Sequence, residues 1–283
     1  MKSLQTEELM MVLEYAENDN LRKYLKKNCT NLKWEEKLFS LYIISYNLKI
    51  IHDQKYIHKD LHSGNILQFN TDNVVLTKIT DLGLAQLINT STSSNSSSVC
   101  GVLPYIAPEV LDGKQYTFAS DVYSFGIIMV EVLTGKPPYE SVPHDERLAL
   151  AICNGLRPRV AKGTPQCYID LANKCLDANP EKRPSAGVLW GIIATWPSDK
   201  KYKDEEFIDA DKIISQESPS ETATNPEAVY TSRFMSFTNL SKPINSTRVQ
   251  IEDLEGIMII KFNCIFHILN FRYFFLFQFQ IHN

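Results

Sequence analysis

The sequence is poor in the features that mark the simplest protein classes. Its 283 residues hold only 11 glycines and 13 prolines, which excludes a collagen-like or wholly low-complexity chain. Lys and Arg total 29 against 33 Asp and Glu, a formal net charge of −4. Without an excess of positive charge there is no whole-chain basic surface, and nucleic acid is not expected as a partner. No two of the six cysteines (Cys29, Cys100, Cys153, Cys167, Cys175 and Cys264) stand in CxxC spacing. Their scatter fits neither a zinc site nor a disulfide framework, so a reducing, cytoplasmic setting is expected. The opening residues MKSLQTEELMMVLEY lack the apolar core of a signal peptide. No internal repeat occurs.

What is present suits a folded protein: 44% of residues are hydrophobic and 22% charged. Composition divides the chain into a tail over 1–8, a folded region over 9–196, a polar stretch over 197–255 and an apolar segment over 256–283. The polar stretch includes QESPSETATNP and is expected to be a linker or disordered tail, with room for a short helix over Asp204–Ile214. Within the folded region, Met10–Leu13 reads as a short strand and Leu21–Lys27 as a short helix. Trp34–His52 places Leu38, Leu41, Ile44 and Leu48 on one helical face. Ile66–Phe69 and Val74–Ile79 suggest a strand pair. Ser91–Ser98 reads as a polar mobile loop. Ser120–Leu133 is apolar nearly all round, which predicts a buried helix stopped by Gly135 and the two prolines after Lys136. Helices are expected near Asp145–Asn154, Gln166–Asp177 and Pro184–Thr195.

Five short motifs lie among these elements. His58-Lys59-Asp60-Leu61-His62-Ser63-Gly64-Asn65 forms a loop between the long helix and a strand. A carboxylate and an amide five residues apart on one loop can face a common pocket, one accepting a proton while the other binds a metal. Asp and Asn are equally good turn formers, so this segment alone leaves the matter open. Asp81-Leu82-Gly83 is, alone, a turn signal. Pro104–Glu109, Asp121–Gly126 and Asn179–Pro184 complete the set. In isolation Asp121 reads as a helix-start carboxylate and Arg183 as an exposed loop charge.

In this order and spacing, the five motifs resemble the C-terminal lobe of eukaryotic protein kinases, over about Leu9 to Trp196. The wording LHSGN and DVYSFG is similar to the tyrosine-kinase-like group, whose members mostly phosphorylate Ser and Thr. The resemblance implies an α+β fold: a mostly α-helical kinase-like C-lobe with a few short strands and a truncated N-lobe. It implies a transferase passing the γ-phosphoryl group of ATP to a protein substrate, with Mg²⁺ as cofactor. Asp60 matches the aspartate that accepts the substrate hydroxyl proton, and Asn65 and Asp81 match the magnesium ligands. The backbone of Glu14 and Ala16 matches the adenine-binding hinge, with Leu67 as its floor. His58, Lys59 and Gly83 fall in the loop motifs. Glu109 and Arg183 match a buried ion pair, and Asp121 the residue that holds the catalytic-loop backbone.

The departures carry as much information. No GxGxxG occurs, and the strand lysine that contacts the phosphates is absent. This chain is therefore expected to be weakly active or inactive alone, the alternative being a non-catalytic interaction module. Lys59 stands for the family's usual arginine and loses its bidentate fork. His62 replaces the lysine usual in Ser/Thr kinases, Val102 a threonine that bonds the catalytic aspartate, and Leu82 a phenylalanine. Whether Ser/Thr or Tyr is the acceptor stays open. The apolar segment Gly256–Ile281 is interrupted by Lys261 and Arg272, each costing roughly 2.5–3.5 kcal/mol at a bilayer centre, and no membrane partner is expected.

Overall fold

The computed structural model describes residues 14–29, 31–71, 75–88, 98–196, 207, 210, 223–237 and 240–245. The strand expected at Met10–Leu13, most of the Ser91–Ser98 loop and the segment 256–283 lie outside them.

Helix α1 (Leu21–Asn28) opens where the Asn20 side chain accepts from the backbone N–H of Lys23. Leu21 and Leu25, one turn apart, are its buried face. Helix α2 (Trp34–Asp53) buries Trp34, Leu38, Leu41, Ile44 and Leu48 along one stripe. After the four-residue helix α3 (Pro108–Leu111), helix α4 (Phe118–Thr134) is buried on every side from Ser120 to Leu133. Thr117 caps its start, and Gly135 ends it at φ 69°. A Cβ there would approach Cys29 Sγ to 2.4 Å, so only glycine closes this helix against α1's end. Helices α5 (Glu146–Cys153), α6 (Gln166–Cys175) and α7 (Ala186–Thr195) surround α4 and α2, with α6 against α4 and α7 against α2. Trp34 meets Tyr168 and Phe207 edge-on, with centroids 5.2 and 5.1 Å apart. Phe207 and Ala210, the described part of the helix expected over Asp204–Ile214, are buried.

Among the described residues, three two-stranded antiparallel ladders complete the architecture. β1 (Tyr56–Ile57) pairs with β4 (Gln86–Leu87), and β2 (Ile66–Asn70) with β3 (Val75–Ile79), from Ile66↔Ile79 to Asn70↔Val75. These pairs fold loop 58–65 and loop 80–85 beside each other. Two bonds lock them together: Thr80 N–H donates to the Asn65 carbonyl at 2.9 Å, and His58 Nε2 lies 3.0 Å from the Thr80 carbonyl.

The third ladder places part of the stretch expected to be a linker or disordered tail, residues 223–237 and 240–245, against the lobe. β5 (Ser98–Gly101) pairs with β6 (Arg233–Ser236), from Ser98↔Ser236 to Gly101↔Arg233. Residues 223–237 and 240–245 run along the lobe, and Tyr230, Met235, Phe237 and Leu240 pack on its core. Composition gives no sign of this docking, because the ladder is made of backbone hydrogen bonds, which any sequence can make, and the apolar anchors beside it are few.

Candidate active site

The centre of the loop 58–65 is built from below. Asp121, in the first turn of α4, is buried, and its carboxylate accepts from three donors. These are His58 N–H at 2.8 Å, Lys59 N–H at 3.0 Å and His52 Nε2 at 2.9 Å. Held this way, the loop passes through Lys59 at φ 69°, a left-handed conformation uncommon for a side chain of this size. Lys59 Nζ donates to Gln86 Oε1 at 3.1 Å and lies 5.3 Å from the centre of the Tyr116 ring. The strained turn presents Asp60 on the loop's upper side.

Asp60 is 6% exposed. Its Oδ2 accepts from Asn65 Nδ2 at 3.2 Å and from Ser232 Oγ at 2.5 Å, and His62 Nε2 stands 3.7 Å away. Its Oδ1 is buried without a hydrogen-bond partner. The void beside it, about 10 Å³ and lined by Gly101, Val102 and Tyr116 among others, is barely the size of one water. Burial raises the Asp60 pKa, but the polar contacts of His62 and Ser232, and the charge that His62 and His58 carry when protonated, outweigh it. The net shift is downward, so the carboxylate is ionised at neutral pH. His62 has a defined tautomer: Gly64 N–H donates to its Nδ1 at 3.0 Å, so Nε2 carries the proton toward Ser232 Oγ, 3.2 Å away.

Asn65 Nδ2 also donates to the Asp60 carbonyl at 3.0 Å, which fixes the amide and leaves its oxygen as a donor atom for a cation. Asp81 follows β3 in a left-handed conformation, φ 60°, with an exposed carboxylate that accepts from Gly83 N–H at 3.3 Å. Glu14 and Ala16 lie on the segment leading into α1. That segment runs beside β2 through Asn18 N–H to the Gln68 carbonyl and Gln68 N–H to the Asp19 carbonyl. Asn20 bridges to Leu67, and the Glu14 carboxylate pairs with Lys78. All these residues share one end of the lobe.

Glu109 ends the segment 81–109, which matches the kinase activation segment, and pairs with Arg183. Arg183 Nη1 and Nη2 donate to Glu109 Oε1 and Oε2, both at 2.7 Å, with the two side chains 0% and 3% exposed. Arg183 also donates to the carbonyls of Asp177 (2.8 Å) and Ala119 (2.9 Å) and stacks on Tyr123. Four of the five N–H donors of this buried guanidinium are thus placed on oxygens.

Two participants escaped the sequence reading. Glu131 of α4 accepts from Ser63 Oγ at 2.8 Å and Tyr105 Oη at 2.6 Å. It ties loop 58–65 to the end of the activation segment. Burial raises its pKa, against the charge of Arg22, whose Nε is 3.9 Å away. A polar residue inside an otherwise apolar helix was the available signal. The other participant, Ser232, carries no sequence signal at all.

The family model described as protein tyrosine and serine/threonine kinase matches residues 2–191. A probable serine/threonine-protein kinase of Dictyostelium discoideum is 34% identical over 180 residues, covering 62% of this chain and 16% of the relative. Another from the same organism is 34% identical over 187 residues, 62% of this chain and 7% of the relative. A probable leucine-rich repeat receptor-like protein kinase of Arabidopsis thaliana is 33% identical over 189 residues, 62% of this chain and 16% of the relative. The chain thus spans between 7% and 16% of the length of these relatives. No helix among the described residues is long and apolar enough to cross a membrane. The matched region, with its mostly helical lobe and short antiparallel strands, belongs to the protein tyrosine and serine/threonine kinase family.

Proposed function

We propose that the site transfers the γ-phosphoryl group of ATP to a hydroxyl of a protein side chain, serine or threonine in the first place, with Asp60 taking the proton. One observation carries this reading. A buried carboxylate, held ionised, accepts a hydrogen bond from a serine hydroxyl at 2.5 Å in the open end of the lobe. General-base positioning of that kind contributes about 10²–10⁴ in rate.

The remaining roles follow from the same geometry. Asn65 and Asp81 offer amide and carboxylate oxygens, the hard donors that suit Mg²⁺, on two loops joined through the Thr80–Asn65 bond. Bound there, the cation would neutralise charge on the nucleotide phosphates. The backbone at Glu14 and Ala16 would receive adenine beside Leu67. Asp121, through His58 and Lys59, sets the position of Asp60. Gly83 fixes Asp81, and the Glu109–Arg183 pair anchors the loop that receives the acceptor.

The 283 residues contain no GxGxxG and no matching phosphate-contacting lysine. Taken alone, this chain is expected to turn over well below the ~1–100 s⁻¹ usual for kinases. The same feature favours the second reading, an interaction module without catalysis. Purified chain with MgATP and a generic protein substrate separates them. Slow transfer, reduced about 10²-fold or more in Asp60→Asn, is the expected result. Equal transfer by both proteins would overturn the role of Asp60, and failure to bind MgATP would favour the module.

A further inference from the structure

Residues 229–237 run past Asp60, with Arg233–Ser236 as a strand, and their contacts are specific. Tyr230 Oη donates to the Pro138 carbonyl at 2.9 Å, its ring meets His144 edge-on at 4.8 Å, and Arg22 stacks on its other side at 4.8 Å. Arg22 Nη1 donates to the Tyr230 carbonyl at 2.9 Å, and His144 Nδ1 faces the Val229 carbonyl at 2.9 Å. Arg233 Nη2 donates to the His144 carbonyl at 2.6 Å. From Arg233 the chain adds a strand to β5, in the activation segment, with Arg233 opposite Gly101. Between the Tyr230 anchor and this ladder stands Ser232, its hydroxyl donating to Asp60 Oδ2 and facing His62 Nε2. Ser232 itself remains exposed while Asp60 is buried.

We propose that the segment 229–237 is a built-in ligand of the acceptor groove and that Ser232 is an intramolecular phosphoacceptor of Asp60. This rests on the phosphotransferase reading above. The reaction balances with MgATP as the co-reactant. A bond forms between Ser232 Oγ and the γ-phosphorus, and the bond from that phosphorus to the β,γ-bridging oxygen breaks. The hydroxyl proton passes to Asp60, and ADP leaves with the bridging oxygen. Neighbouring Thr231 and Ser236 also carry hydroxyls, but the anchor and the ladder register bring Ser232 to Asp60. Tethering holds the segment at an effective concentration in the millimolar range, so free peptides compete poorly until it leaves. Once phosphorylated, Ser232 would set a dianion against the Asp60 carboxylate, which disfavours rebinding.

Two measurements on the full chain test this. The first is amide hydrogen exchange at Val99–Gly101 in the wild type, Met235→Pro and Phe234→Pro. Proline removes a backbone N–H from the ladder, and Phe234 is 77% exposed, so its replacement leaves the lobe's packing alone. Exchange about tenfold faster in the proline variants is expected, and a synthetic peptide copying 226–240 should bind them about tenfold more tightly. Unchanged exchange and unchanged peptide binding would overturn the occupancy. The second is phosphopeptide mapping after incubation with MgATP, where even a single slow turnover is visible. Phosphate on Ser232 is expected, at a rate independent of protein concentration and lost in Asp60→Asn. Its absence overturns the acceptor role. A generic protein in the same tube shows whether the phosphotransferase reading falls too: if that protein is phosphorylated and Ser232 is not, only the present proposal fails.

Discussion

The floor of the catalytic loop and its mouth are each built around a buried aspartate, and they are finished differently. At the floor, Asp121 has both oxygens satisfied by the loop backbone and His52, and nearby Glu109 meets Arg183 through two matched bonds. At the mouth, Asp60 has one oxygen shared among Asn65 and Ser232, and the other has none. A closed set of bonds stabilises and does nothing else. An open set leaves a charged oxygen buried with its bonding capacity unused. The difference separates the two aspartates more sharply than burial does, since both are nearly inaccessible.

The largest test of this contrast lies at the floor. Arg183→Ala should lower stability by about 3–5 kcal/mol, because it leaves the Glu109 carboxylate buried and unpaired. Thermal unfolding reads the effect, and an unchanged melting curve would show that the pair contributes nothing. Next comes Asp121→Asn, which keeps one acceptor oxygen and replaces the other with a donor. A loss of about 1–3 kcal/mol is expected from the backbone amide left unpaired, together with faster amide exchange at His58 and Lys59.

At the mouth a gain is expected. Val102→Thr places a hydroxyl on the wall of the small void beside Asp60 Oδ1, where it can donate. Denaturant unfolding should show about 0.5–1.5 kcal/mol of added stability. A loss would mean that the void is closed to the hydroxyl. The smallest effect concerns His144, which faces the docked segment. Burial lowers its pKa from the ordinary value of 6.5, bonds to the Val229 and Tyr139 carbonyls work the other way, and the charges of Arg233 and Arg22 add to the lowering. The folded state therefore binds fewer protons at His144 than the unfolded state does. Its contribution is full above the ordinary histidine range and is lost as pH falls through that range toward the lowered value. Melting temperature followed from about pH 7 down to about pH 5 should decline, and His144→Gln should decline less.

Much of this molecule was legible from residue order. Leu38, Leu41, Ile44 and Leu48 mark the buried stripe of α2, and the apolar run around Phe125 marks α4, because burial imposes helical period on side-chain chemistry. The α4 stop at Gly135 was legible for the same kind of local reason. Asp60, Asn65 and Asp81 were singled out by the resemblance of their motifs to the kinase family, and the structure brings the two loops carrying them together through the β1–β4 and β2–β3 ladders. The first of these ladders is two residues long and left no pattern to read. Glu131 was passed over as one residue of a buried helix, since the hydroxyls that satisfy it come from two distant loops.

The tail marks the boundary most clearly. Local periodicity and motif order are enough to determine the helices and the kinase-like order of the loops. What covers the groove was decided only in three dimensions. Ser232 reaches Asp60 from 172 residues away, carried by a strand whose bonds run through the backbone. Backbone groups are the same at every residue, so composition classed this stretch as polar linker, while the unpaired edge of β5 and the space between Arg22 and His144 gave it a place.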